Sequence, residues 1–502
     1  MGVIQKSGVW TTLINYTGAI LGFVCVIILF PRLMSPEEVG LTLILKTAAL
    51  LFSQFSYIGS GNIVLRFFPF FRTGEKQFNG IFTLTFLISL TGIIIVTLLY
   101  FLFQQEIIHY FTGDKTQGET MLFIKHSILV IPIFIFIVFY TLFSVWLRSL
   151  MKIIVAALYF EVILRLLFIV IVFIFSLDYI SFDSFIKLYA LCYAVPAVGL
   201  FIYCWRYGLL SFSLRITQKM KEYFKPAIKY GLLCFVAGIG ASLVGTIDSL
   251  MLGGMVGLAG VAVYTISTNL ISALQMPFRA FSSIASPLVA EYWQKNDMKG
   301  MKTIYQKFTL NIVIVSLLIF LLTWLNLNSL YLIMPEIYST GKWAFLILFT
   351  GKFINMSTGL NSVILSTSKK YVWDLYFAIF LIVAAIISNR LLIPLWSING
   401  AALATTICIT VISVSKVIVV KQLFHLQPFT NKVWLVVFLG IIVCILITFI
   451  PVFLHWTLEV VMRSCLVLVL FLLPIYLFKI SDELNSGINK ILKKVFPSLN
   501  IQ

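Results

Sequence analysis

Runs of about twenty apolar residues, separated by short polar turns, recur along the whole chain. A hydrocarbon core of about 30 Å takes roughly 20 residues of helix to cross. Runs of that length fall near 10–30, 41–65, 80–103, 122–147, 153–176, 184–207, 229–252, 259–288, 304–333, 343–367, 371–393, 398–420, 432–454 and 459–479. The pattern predicts an all-α integral membrane protein with about fourteen transmembrane helices. The breaks are turn-forming, as in Ser35-Pro36-Glu37-Glu38, Arg72 to Lys76, Gly113-Asp114-Lys115 and Ser366 to Lys370. No small-residue cleavage site follows the first run, which reads as a retained span rather than a signal peptide.

Composition agrees: 61% of the 502 residues are hydrophobic and 11% charged, against about 25% charged in a soluble domain. The net charge of +18 does not point to nucleic acid, because the basic residues sit in short clusters between apolar runs. With the N-terminus cytoplasmic, the inner segments carry Lys6, Arg72, Lys76, Arg148, Lys152, Arg215, Lys219, Lys221, Lys299, Lys369, Lys370, Lys490, Lys493 and Lys494. The outer loops hold few cations but carry Glu37, Glu38, Glu106, Asp114, Glu119, Asp178, Asp183 and Glu336. That asymmetry predicts a multi-pass protein with both termini cytoplasmic.

A faint repeat divides the chain. NYTGAILGF around Tyr16 echoes KYGLLCFVAG around Tyr230, and VGLTLILKTAALL (39–51) echoes VAVYTISTNLISAL (261–274). An offset of six spans keeps both copies in one orientation, as in transporters built from parallel repeats. The expected organisation is an N-lobe of six helices (1–207), a basic cytoplasmic linker (208–228), a six-helix C-lobe (229–425), and two further helices with a tail (426–502).

No loop is long enough for a catalytic domain, and no GxxxxGK[ST], DxD or HExxH motif occurs, so an enzyme is not expected. The seven cysteines lie in or beside apolar runs without a CxxC pair, and the four histidines look interfacial, so they read as buried thiols and interface residues; no metal or other cofactor is implied.

Chemistry is then expected from polar residues inside spans, which are costly there and functional by default. In span eight Thr268, Ser272, Gln275, Arg279, Ser282 and Ser286 follow helical spacing, and in span ten so do Lys352, Asn355, Gly359, Ser362 and Ser366. Span two offers Lys46, Ser53 and Tyr57, with Arg66 near its end; span one offers Thr11, Asn15, Gly18 and Gly22. Such small residues also line tight helix contacts. Arg279 and Lys352 have no acid at helical spacing, which favours a hydrated cationic cavity for an anion, with Arg suited to phosphate. Lys46, Arg66, Gln275 and Asn355 are candidates to line it. Glu161 and Arg165, one turn apart, read as a self-neutralising pair or as charge balance for transport, and Asp248 as a lone acid for charge balance or ion coupling. Asp374, Arg390 and Lys416, like Arg66, lie near span ends, where snorkelling explains a charge.

Three segments carry a family resemblance: LFPRLMSPEEVGL (29–41), IGSGNIVLRFFPFF (58–71) and TIDSLMLGGMVGLAGVAVYTIS (246–267). They resemble the corresponding regions of Wzx-type polysaccharide-repeat flippases, members of the multidrug/oligosaccharidyl-lipid/polysaccharide (MOP, MATE-like) exporter superfamily. The resemblance implies translocation of undecaprenyl-pyrophosphate-linked oligosaccharides across the cytoplasmic membrane by alternating access, in the synthesis of surface polysaccharide such as lipopolysaccharide. Membrane lipids and other polysaccharide-assembly membrane proteins are the implied partners. A cation-coupled drug exporter of the same fold is the alternative, although span one lacks the acid such a protein would be expected to carry. From a different class, a membrane-embedded glycan polymerase or ligase would need a catalytic outer loop that this chain lacks.

Overall fold

The computed structural model describes residues 2–71, 80–112, 117–210, 212, 218–370, 372–450 and 455–495. Of the charges used above, Arg72, Lys76, Asp114, Lys115 and Arg215 lie outside the described residues, as do the side chains of Lys6, Lys219, Lys490, Lys493 and Lys494. Among the described residues every regular element is helical and no strand occurs. Among the described residues ten helices are long and apolar enough to cross a membrane, and eleven if a pair broken at Gln275 counts as one span. One of these, Val372–Phe424, is 53 residues long, or about 80 Å at 1.5 Å per residue. Non-helical dihedrals at Trp396 and Ser397 interrupt it, as two successive spans require.

By packing, the chain forms two compact units, residues 1–266 with 393–398, and residues 267–392 with 399–502. The six-span lobes read from the repeat divide the chain instead at 208–228. In the first unit the helix Gln218–Met255 packs against Pro36–Tyr57 and Ser60–Phe71. The core of this unit is aromatic: Phe82 and Phe68 pack on Trp146, whose indole N–H donates to the Leu209 carbonyl at 2.9 Å. The second unit holds two apolar clusters, one around Val436, Val467 and Phe471 and one around Val289, Met301 and Tyr305.

The segments that carry the family resemblance are turns and close approaches. Ser35 and Glu38 form a reciprocal capping box, with Pro36 opening the second span. Gly40 passes so close to the Leu258 carbonyl that an added Cβ would lie 1.9 Å from it. Ile58 and Gly59 both have positive φ, 44° and 68°, so the second span is two helices, Pro36–Tyr57 and Ser60–Phe71, rather than the continuous 41–65 expected. Glu119, an expected outer acid, reaches the start of Leu258–Leu274 and accepts from the Ala259 amide at 3.4 Å. A carboxylate at a helix N-terminus complements its dipole.

Candidate functional site

The first unit gathers charged side chains within its spans. The fifth span runs Ile153–Ala157, then a π-helical turn Leu158–Ile163, then Leu164–Ser176. Glu161 lies in the π turn, and its Oε2 is 2.6 Å from an Arg165 guanidinium nitrogen. The first span has a π turn of its own, Val24–Leu29, two residues after Gly22. Such bulges inside α-helices are concentrated at functional sites.

Why the pair sits here follows from two glycines on one helical face. A Cβ added at Gly18 would lie 2.6 Å from the Glu161 carbonyl oxygen and 2.7 Å from its Cβ. One added at Gly22 would lie 3.0 Å from an Arg165 guanidinium nitrogen. The glycine face of span one is thus a notch in which span five and its ion pair rest, with no side chain between. Lys46 of span two, half-buried, lies within electrostatic reach of Glu161, Arg165 and Cys25. Tyr193 lies within electrostatic reach of Arg165; its hydroxyl is 3.2 Å from that of Tyr189, on which Phe168 stacks. The glutamate and arginine side chains remain 28% and 27% exposed.

The formal charges of Lys46, Arg165 and Glu161 sum to +1. A formal excess of one positive charge within the spans is an arrangement that favours an anionic ligand. Sequence spacing made the Glu161–Arg165 pair legible, and Gly18 and Gly22 stood out as a small face. The approach of Lys46 and the two π turns carried no sequence signal.

Other expected site residues lie elsewhere. Asp248, read as a lone acid, is buried and accepts from the Tyr264 hydroxyl at 2.8 Å, so it is not isolated. Arg66 is exposed, its guanidinium 4.3 Å from the Tyr230 ring centre. The polar stripe of span eight is not one continuous face: the helix stops at Leu274, Gln275 precedes the next, and Pro277 lies in its first turn. Arg279 follows the break and is exposed; Gln275, at the break, is half-buried. The span-ten stripe is likewise divided, into Gly341–Ser357 and Asn361–Thr367, with Gly359 at φ 68°. Lys352 and Asn355 lie before that break, both half-buried. The Asn355 amide donates to the Ser413 hydroxyl at 3.0 Å, which binds two helices together.

Three groups differ from their sequence reading. Lys416, expected to snorkel, pairs with Asp374 at 2.6 Å and donates to Ser362 at 2.9 Å. His126, expected at an interface, is buried and lies 2.9 Å from Asp183, which also pairs with Lys125. Cys465, expected to be buried, is exposed.

Residues 4–293 match the family model described as polysaccharide biosynthesis protein, and residues 234–391 match the MatE model. An uncharacterized membrane protein of Methanocaldococcus jannaschii is 25% identical over 346 residues, 64% of this chain and 66% of that protein, just under two thirds of its length. Among solved structures, the lipid II flippase MurJ in an inward closed conformation superposes with a TM-score of 0.73 at 14% identity, covering 94% of this chain and 98% of that one. An inward-facing multidrug resistance MATE family transporter of the MOP superfamily gives 0.63 at 16% identity, covering 83% and 94%. At those identities the structural likenesses bear on the fold alone.

Proposed function

The chain belongs to the polysaccharide biosynthesis protein family of MOP superfamily membrane transporters, and from that premise we propose that it is a flippase for a lipid-pyrophosphate-linked oligosaccharide. The observation that carries this reading is the net-positive group of Lys46, Arg165 and Glu161, of which Glu161 and Arg165 are seated against the Gly18–Gly22 notch. A pyrophosphate headgroup supplies the missing negative charge. Arg165 offers it paired N–H donors and Lys46 a point charge. The lipid tail stays in the bilayer while the headgroup and glycan cross. That a lipid II flippase shares the fold supports a lipid-linked cargo. A net-positive group disfavours the cationic compounds of a drug exporter.

In the same reading Arg279, Lys352, Gln275, Asn355 and Arg66 are further substrate contacts, and Asp248 serves charge balance or ion coupling. The protein crosses the cytoplasmic membrane fourteen times with both termini inside, as lobes 1–207 and 229–425 joined by the basic linker, followed by 426–502. Alternating access must let the site bind and then release its cargo, so the headgroup contacts are few and exchangeable. The test is surface polysaccharide in a cell that depends on this gene. Lys46→Ala and Arg165→Ala should each abolish or sharply reduce it at normal membrane levels of the protein, and Arg165→Lys should retain part. Normal export by both alanine variants would remove the proposed headgroup site.

A further inference from the structure

Glu161 has no evident use in binding an anion, yet it holds the arginine that the anion needs. The two cannot be satisfied together, because one guanidinium fork seated against Gly22 has little room to serve a carboxylate and a phosphate at once. Resting on the headgroup reading above, we propose that the cargo displaces Glu161 from Arg165 and that Glu161 then takes up a proton, so that binding is linked to uptake of about one proton.

The surroundings single out the acceptor. Groups within electrostatic reach of the pair are Cys25 of span one, Lys46 of span two, Tyr140 of span four, and Tyr193 of span six, with Tyr189 beside it and Tyr159 on the π turn itself. The thiol and phenols already carry their protons at neutral pH and the Arg165 guanidinium keeps its own, while uptake at Lys46 instead would persist in Glu161→Gln. Glu161 is the one carboxylate among these groups. A carboxylate in apolar surroundings that loses its cationic partner is stabilised by protonation. The step balances simply: the Glu161–Arg165 ion pair opens, Arg165 pairs with a phosphate oxygen, and one O–H bond forms on Glu161 with a proton from bulk water. On release the ion pair re-forms and the proton leaves. The π turn fits this exchange, since it places Glu161 where the helix has slack and the carboxylate can swing off its partner without breaking the span.

The experiment uses farnesyl pyrophosphate as a soluble probe and calorimetric titration of the purified full chain at pH 7.5, in two buffers of different ionisation enthalpy. Wild type should take up about one proton more per probe bound than Glu161→Gln, in which the count is that of the probe alone. Glu161→Gln, which mimics the protonated acid and cannot hold Arg165 as an ion pair, should bind the probe several-fold more tightly than wild type. Glu161→Asp should keep the proton uptake, which guards against a generally damaged site. Equal proton counts in wild type and Glu161→Gln, or binding more than tenfold weaker in Glu161→Gln, would overturn the exchange while leaving the anion site standing. Failure of wild type to bind the probe at all would overturn the headgroup reading and the exchange with it.

Discussion

Gly18 and Gly22 offer a pair of substitutions whose effects should have opposite sign. At Gly18 an alanine methyl would meet the Glu161 carbonyl oxygen at 2.6 Å and its Cβ at 2.7 Å. Both atoms are fixed to the backbone of span five, so relief requires the two helices to separate. At Gly22 the methyl would meet guanidinium atoms of Arg165 at 3.0, 3.1 and 3.3 Å. That group ends a long side chain and can retreat by a few tenths of an ångström. Replacing glycine by alanine within a helix is favourable by about 1 kcal/mol, and overpacking costs about 1–3 kcal/mol. Gly18→Ala should therefore be net destabilising by up to about 2 kcal/mol, while Gly22→Ala should be neutral or stabilising by up to about 1 kcal/mol. At roughly 2–4 °C per kcal/mol for a large domain, Gly22→Ala should melt several degrees above Gly18→Ala. Thermal unfolding of the two purified variants in detergent, followed by intrinsic fluorescence, measures the difference. Gly18→Ala melting at or above Gly22→Ala would refute the notch as described.

Asp248→Ala should lower stability by about 1–3 kcal/mol, because the buried Tyr264 hydroxyl loses its carboxylate acceptor; Asp248→Asn, which keeps an acceptor oxygen, should lose markedly less in the same melting assay. Glu483, on the helix Asp482–Val495, is pushed up by burial, but hydrogen bonds from Lys307 at 2.8 Å and Asn311 outweigh this and hold it below the usual carboxylate range. A depressed carboxylate stabilises above its unfolded pKa and loses that contribution as pH falls through its folded value. Hydrogen exchange in residues 482–495 should accordingly be protected at pH 7 and faster, relative to the intrinsic rate, below about pH 4; unchanged protection there, or the same pH response in Glu483→Gln, would count against the anchor. Reporter fusions at Lys221 and Lys299 should read cytoplasmic and a fusion at Asp114 periplasmic, and a cytoplasmic signal at Asp114 would overturn the span assignment.

Span periodicity was the most legible property, because a bilayer imposes both helix length and hydrophobicity. What the periodicity hid were the interruptions. Ile58, Gln275 and Gly359 break spans two, eight and ten, inside stretches whose length and composition read as single spans. The expected stripes through Arg279 and Lys352 assumed one helical phase, and each break resets it. Local pairs were readable where partners lie one turn apart, as with Glu161 and Arg165. Partners distant in sequence were not: Lys416 with Asp374, Asp248 with Tyr264, and Lys46 beside the Glu161–Arg165 pair all depend on which helices meet. The quoted family segments proved to hold one capping box, a left-handed turn and glycine contacts, so the resemblance marked the fold rather than the site.

The central claim, an anion site made by Lys46 and Arg165, is tested most directly by binding. Purified wild-type protein should bind farnesyl pyrophosphate saturably and leave uncharged farnesol unbound in the same concentration range. A charge-assisted hydrogen bond contributes about 1.5–3 kcal/mol, so Lys46→Ala and Arg165→Ala should each weaken the pyrophosphate by roughly 10–100-fold, with Arg165→Lys in between. Wild-type affinity in both alanine variants, or equal binding of pyrophosphate and alcohol, would contradict the account.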